Sequence, residues 1–146
     1  MIIKMNDEFE ARMMLTNMHG FKEFKENNLG VVGSRTFKNE GFMSFVLSML
    51  RPNHIISGGA KGADSLAVGW AVQTCVPFTE HLPDLIRWPW TKYKGKAYLE
   101  RNDTIAMACD ALVAFVPLDG ESTGTMYTVG KAVSFKKPVL ILYFEG

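Results

Sequence analysis

The sequence predicts an α/β fold: a three-layer sandwich in which helices cover both faces of a mainly parallel five-stranded sheet, with an extra N-terminal helix. Three observations carry this. From Leu29 onward, short apolar runs alternate with segments of helical periodicity. The runs are continuously apolar, as strands buried on both faces require. Glycine-rich turns follow several of those runs and lead into helices. Right-handed crossovers then make the sheet doubly wound and Rossmann-like, with ligands expected beyond the carboxyl ends of the strands.

The elements follow in order. Residues 1–28 form a helical extension, in which Phe9, Met13, Met14, Leu15 and Met18 are spaced for one apolar face. His19-Gly20 ends that helix, because glycine suits the position after a helix C-terminus. Lys22 to Asn28 is a polar linker. Residues 29–146 form the main domain. Leu29-Gly30-Val31-Val32 is a buried strand, and Phe42 to Leu50 a helix stopped by Arg51-Pro52-Asn53. His54 to Ser57 is a strand opened by a structural histidine. Ala63 to Thr74 is a helix, and a strand runs from Phe78 to Leu82. A long loop, Pro83 to Gly95, carries Trp88, Trp90 and Tyr93. A helix over Lys96 to Ala108 precedes the strand Ala111 to Val116. Thr125 to Phe135 is the last helix and Pro138 to Tyr143 the last strand.

Composition bounds the function. The chain has 146 residues, is 47% hydrophobic and 21% charged, and carries a net charge of +1. That is one ordinary globular domain with no global attraction to nucleic acid or anionic membrane. Any anion site must be local. Cys75 and Cys109 form no CxxC pair, and with His19, His54 and His81 they show no metal-ligand spacing. Two small core thiols in a reducing, cytoplasmic setting are the expectation. No secretory signal or membrane span is legible in the sequence.

Three loops carry the chemical signal. The first strand ends in Gly33-Ser34-Arg35. The second ends in Ser57-Gly58-Gly59-Ala60-Lys61-Gly62-Ala63-Asp64. The fourth leads to Gly120-Glu121-Ser122-Thr123-Gly124-Thr125. Strand-to-helix placement puts all three on one sheet edge. There glycine permits close backbone approach, hydroxyls donate, and helix N-termini present unpaired amides and a positive dipole end. Such a place binds anions, and Arg35 and Lys61 add full charge. Neither the Walker pattern nor GxGxxG is present, since Gly62 follows Lys61. Each loop alone reads equally as a plain turn, so the inference rests on their coincidence. Arg101 and Asn102 share a helix face with Tyr98 and Ile105. A buried Arg101 requires a partner, for which Asp64 or a phosphate qualifies. Asp64 reads evenly as a helix cap or a ligand contact. Trp88, Trp90 and Tyr93 are candidates for stacking on a base.

These motifs, continued by Tyr93, Gly95, Lys96, Ala97, Arg101, Asn102, Ala111 to Phe115 and Gly124-Thr125, resemble the SLOG superfamily of Rossmann-like proteins. Within it, the YspA/YpsA-related group of small proteins is the nearest in pattern. The resemblance covers roughly residues 29 to 142. It implies binding of nucleotides or nucleotide-derived ligands, such as NAD or ADP-ribose, often as sensors in nucleotide signalling. The resemblance also implies pairing into a homodimer or larger assembly. Similar LOG enzymes cleave the N-glycosidic bond of cytokinin nucleotides. DprA, another relative, has a similar Ser-Gly-x-Ala-x-Gly loop and binds single-stranded DNA.

The departures are informative. The LOG pattern PGGxGTxxE matches at Gly124-Thr125, but Thr128 stands where its catalytic Glu belongs, while Arg101 matches its catalytic Arg. Where the small-SLOG pattern often has Gly-Pro after Ala97, this chain has Tyr98-Leu99. The leading expectation is a nucleotide-binding or sensing module. A nucleoside-phosphate glycosidase is the alternative, with Arg101 and Glu121 as catalytic candidates and Asp64 and Asp119 as the other nearby carboxylates. A single-strand DNA binder fits the charge balance poorly, because such affinity rests on clustered cations. The stretch Lys92 to Lys96 is the one basic cluster containing an aromatic.

Overall fold

A computed structural model of the chain describes residues 1–17, 21–120 and 122–145. Its six strands are β1 (Ile2–Met5), β2 (Asn28–Gly33), β3 (His54–Ser57), β4 (Phe78–Glu80), β5 (Ala111–Pro117) and β6 (Val139–Phe144). Its helices are α1 (Glu8–Thr16), α2 (Glu40–Leu50), α3 (Ala63–Thr74), α4 (Trp90–Tyr93), α5 (Lys96–Ala108) and α6 (Thr123–Ser134). The strands form one sheet in the order β1-β6-β5-β2-β3-β4. Every adjacent pair is parallel.

The sequence explains why the centre is so regular. All seven residues of β5 are buried, from Ala111 to Pro117, so no polar face interrupts the run. One core packs α1, α2 and α3 against the sheet around Phe42, Leu47, Ile55 and Phe115. The other packs α5 and α6 around Ile105, Leu112, Val129 and Ile141. The chain runs outward from β2 through β3 to β4, then returns to β5 on the other side of β2. The carboxyl ends of β2 and β5 therefore flank a topological switch point, where a crevice opens in a sheet of this kind.

The N-terminal segment differs from its sequence reading. Ile2–Met5 is a sixth strand, pairing parallel with β6 from Ile2 against Val139 to Met5 against Leu142. It is short, lies at the edge and includes Lys4, so its signal is weak. The helix turns Ala11 and Leu15 inward, both fully buried, whereas Phe9, Met13 and Met14 are exposed. Of the expected apolar face Leu15 is packed, beside small Ala11, and Phe9, Met13 and Met14 are not. Asp7 caps this helix by accepting from the Glu10 amide at 2.7 Å. The expected stop at His19-Gly20, and Met18, lie outside the described residues; the helix itself ends at Thr16. The expected linker contains a 3-10 turn, Lys22–Phe24, that buries Phe24 completely. Cys109 is buried as expected, but Cys75 is exposed, at the left-handed residue ending α3. No helix among the described residues is long and apolar enough to cross a membrane.

Candidate functional site

A cleft of about 470 Å³ opens at the switch point. That volume lies in the range of small-molecule sites. Its walls come from the loop after β2 (Gly33 to Thr36), the start of α3 (Ala60 and Asp64), one face of α5 (Tyr98, Arg101, Asn102, Ile105) and the start of α6 (Ser122 to Thr125, with Thr128).

The first wall is rigid. The Ser34 amide donates to the Phe115 carbonyl at 3.0 Å, and the Ser34 carbonyl accepts from the amides of Phe37 and Ala63. The Ser34 hydroxyl closes its own turn, accepting from the Thr36 amide at 3.1 Å and sharing a 2.7 Å hydrogen bond with the Thr36 hydroxyl. Phe37 is buried against Phe115 and Phe144, with ring centroids 4.6 and 4.9 Å away. Each such aromatic pair contributes roughly 0.5–1.5 kcal/mol beyond its burial. This anchor holds Arg35 at the rim of the cleft. Arg35 is exposed and forms no ion pair among the described residues.

The second wall is built by close approach. Gly62 has φ +81°, and a Cβ there would sit 2.6 Å from the Arg35 Cα. Only glycine lets the two loops touch in this way. A Cβ on Gly58 would lie 2.7 Å from Arg101 Nη1 and 2.9 Å from Asp64 Oδ2. Gly58 thus gives these two charged groups their room.

Asp64 is 6% exposed and sits in the first turn of α3. It does not cap that helix, whose cap residue is Gly62. Its Oδ2 instead accepts from the Ala60 amide at 3.3 Å, bracing the loop from within. Burial pushes the Asp64 carboxyl up to about 6; the Ala60 amide, Arg101, the Gly58 amide and Arg35 pull it back only in part.

Arg101 is half-buried. It donates from Nη1 to the Gly58 carbonyl at 2.6 Å and from Nε to Asn102 Oδ1 at 2.8 Å. Its guanidinium stands 5.6 Å from the Tyr98 ring centroid. Burial lowers its pKa, and Asp64 opposes that shift. The partner expected for Arg101 is therefore chiefly the Gly58 carbonyl, with Asp64 acting through charge.

The third wall is the open one. Ser122 occupies the cap position of α6 but makes no capping hydrogen bond. Its Oγ is buried without a hydrogen-bond partner among the described residues. The amides of Thr123, Gly124 and Thr125 begin the helix and lie beyond the reach of intrahelical acceptors. Thr128 is almost fully buried, and its hydroxyl donates back to the Gly124 carbonyl at 3.0 Å. Unpaired amides, a positive helix end and an orphaned hydroxyl meet here beside Arg35. Chemically this is a seat for an anion.

The structure thus gathers Gly33, Ser34, Arg35, Ala60, Asp64, Arg101, Asn102, Ser122, Thr123, Gly124 and Thr125 around one cleft. Ser57, Gly58, Gly59 and Gly62 shape the loop behind it; the Ser57 hydroxyl accepts from the Gly59 amide. Lys61 is exposed and does not line the cleft. Asp119 is exposed outside the cleft lining as well, and Glu121 lies outside the described residues.

The three stacking candidates are elsewhere too. Trp88 and Tyr93 pack edge to face at 4.9 Å, and Lys96 Nζ covers the Trp88 ring at 3.7 Å. Trp88 Nε1 donates to Glu100, and Trp90 packs on Tyr98. They clasp the segment 83–95, which was expected as a loop and contains the short helix α4, to α5. The aromatic that lines the cleft is Tyr98, which sequence reasoning placed on the Arg101 face without giving it a task.

No family model and no curated protein matches the chain. Among solved structures it is similar to DNA processing protein A (DprA) from Streptococcus pneumoniae, with a TM-score of 0.59 and 19% sequence identity. The match covers 82% of this chain and 50% of that one, so this chain spans half the length of its neighbour. The two share a Rossmann-like fold, helices packed on a parallel sheet. At this identity the likeness speaks to the fold alone.

Proposed function

We propose that the cleft binds a phosphate-bearing nucleotide or nucleotide-derived ligand, and that the chain acts as a binding or sensing module. One observation carries the reading: the open N-terminus of α6, where the buried Ser122 Oγ has no partner among the described residues, shares a cleft with Arg35. A buried hydroxyl left unpaired costs about 1–3 kcal/mol, and an oxygen of a bound phosphate would remove that cost. Tyr98 offers an aromatic face, and Asn102 an amide, for the rest of the ligand. The YspA/YpsA-like order of motifs supports the same reading. The test is calorimetry of the folded protein against inorganic phosphate, AMP, ADP-ribose and NAD. Saturable binding to a member of this set is the expected result.

One observation favours a second reading, a nucleoside-phosphate glycosidase. Asp64 is a buried carboxyl with its pKa raised to about 6, beside Arg101 in the same cleft. Groups so perturbed in clefts are candidates for acid–base work. Against efficient hydrolysis stands Thr128, whose hydroxyl is engaged with Gly124 and is no carboxylate base. Release of free base from nucleoside monophosphates distinguishes the two readings. A single-strand binder is disfavoured because Lys96 already covers the Trp88 face that a base would need.

A further inference from the structure

Two exposed apolar surfaces lie outside the cleft. The first follows β4. Within residues 82–96, Leu82, Leu85, Ile86 and Trp90 are exposed, Ile86 at 95%. The display is ordered: the Asp84 side chain accepts from the Arg87 amide at 3.0 Å, and the Trp88–Tyr93 contact holds the segment together. Arg87, Lys92, Lys94 and Lys96 surround these apolar groups, against Asp84 as the one carboxylate of the segment. The second surface is a groove of about 670 Å³ where the chain leaves β1, β2 and β6. Buried Phe37 and Phe144 and exposed Phe9 line it, and Asp7, Glu8 and Glu145 outnumber Lys38 there. One surface is thus apolar and basic, the other apolar and acidic.

The two do not meet within one chain. β4 and β1 are opposite edges of the sheet. The basic segment is tied to α5 through Trp88 and Glu100, whereas the groove lies at the starts of α1 and α2, which pack on the other face. We infer that a second copy of the chain seats its 82–96 segment in this groove. Apolar groups ringed by opposite charge are what a specific interface joins, and a segment already held in shape gives up little freedom on docking. Each copy carries both surfaces, so each gives one contact and receives one.

A charge-swap experiment by analytical ultracentrifugation tests this. One variant reverses the segment, Lys92→Glu with Lys94→Glu. The other reverses the groove, Glu145→Lys with Asp7→Asn, which keeps a capping side chain on α1. The wild type should associate reversibly and less strongly as salt rises. Each variant alone should associate roughly tenfold or more weakly, and an equimolar mixture of the two should recover association, because both of its contacts are again between opposite charges. Ile86→Ser, which removes an apolar group with no packing of its own, should also weaken association. Circular dichroism checks that each protein is folded. A wild type that is monomeric at every concentration overturns the inference, including one that binds phosphatidylserine vesicles through the same segment. So does a folded variant that associates like the wild type, or a mixture that associates no better than its components.

Discussion

Replacing Asp64 by Asn should stabilise the protein, and the gain should depend on pH. The carboxyl is 6% exposed, and its burial outweighs the help of the Ala60 amide and the two arginines, moving its pKa from 3.8 to about 6. At 1.36 kcal/mol per pKa unit, that is a preference of roughly 3 kcal/mol for the neutral form in the folded state. Because the folded value is raised, the contribution of this group to stability is full below about pH 4. It is lost as the pH rises to about 6, and above that it stays lost. Asn mimics the neutral form and still accepts from the Ala60 amide. Asp64→Asn should therefore match the wild type near pH 4 and exceed it by up to about 3 kcal/mol at pH 8. For a domain of this size that corresponds to a Tm gain of roughly 6–12 °C. Urea unfolding of both proteins across pH 4–8 measures the difference directly. A variant no more stable than the wild type at pH 8, or a difference that does not change with pH, would refute the reasoning. The gain, if found, marks Asp64 as a residue kept at a cost to stability, as functional carboxylates are.

Other predictions follow from the same geometry. Gly62→Ala places a methyl 2.6 Å from the Arg35 Cα at a φ of +81°; it should destabilise by about 2 kcal/mol or more in urea unfolding and weaken phosphate binding in the same protein. The wild type should release no free base efficiently from purine or cytokinin-type nucleoside monophosphates, judged by chromatography, since a missing acid–base group costs about 10²–10⁴-fold in rate. Thr128→Glu should bring hydrolysis up if the cleft lacks only that carboxylate, and Glu121→Ala should leave the wild-type baseline unchanged. The chain should sediment as a homodimer or larger, and Phe9→Ser with Met13→Ser should shift it to monomer in analytical ultracentrifugation, because both side chains are exposed on α1.

The fold was legible where burial on both faces forces a continuous apolar run. Ala111 to Pro117 and Val139 to Phe144 are such runs, and every central strand followed from that pattern. It was illegible at the edge, where Ile2–Met5 is short and mostly unburied, so nothing distinguishes its pattern from a frayed terminus. On α1 the residue types misled in part, because side-chain size was read as burial: Leu15 is packed as its type suggests, but its partner on that face is Ala11 and not Phe9, Met13 or Met14. The site was legible as three loops on one edge, but the glycines did not declare their tasks. Gly33, Gly58 and Gly62 give room to protein atoms, namely Ala63, Arg101 and the Arg35 backbone. What singles out the loop before α6 is an unfilled cap and an orphaned hydroxyl, which are properties of packing that no motif spells. Tyr98 was visible as a neighbour of Arg101 at helical spacing; the tryptophans drew attention by size and proved to be a clasp.

If the start of α6, with Ser122 and Arg35, seats the phosphate of a nucleotide, losing the Arg35 charge must weaken nucleotide binding. The most direct measurement is calorimetric titration of AMP into the wild type and Arg35→Gln at two salt concentrations. The wild type should bind one to one with an affinity that weakens with salt, and the variant roughly tenfold more weakly with a smaller salt dependence. An Arg35→Gln protein that binds AMP as tightly as the wild type, or a folded wild type that gives no binding heat, would contradict it.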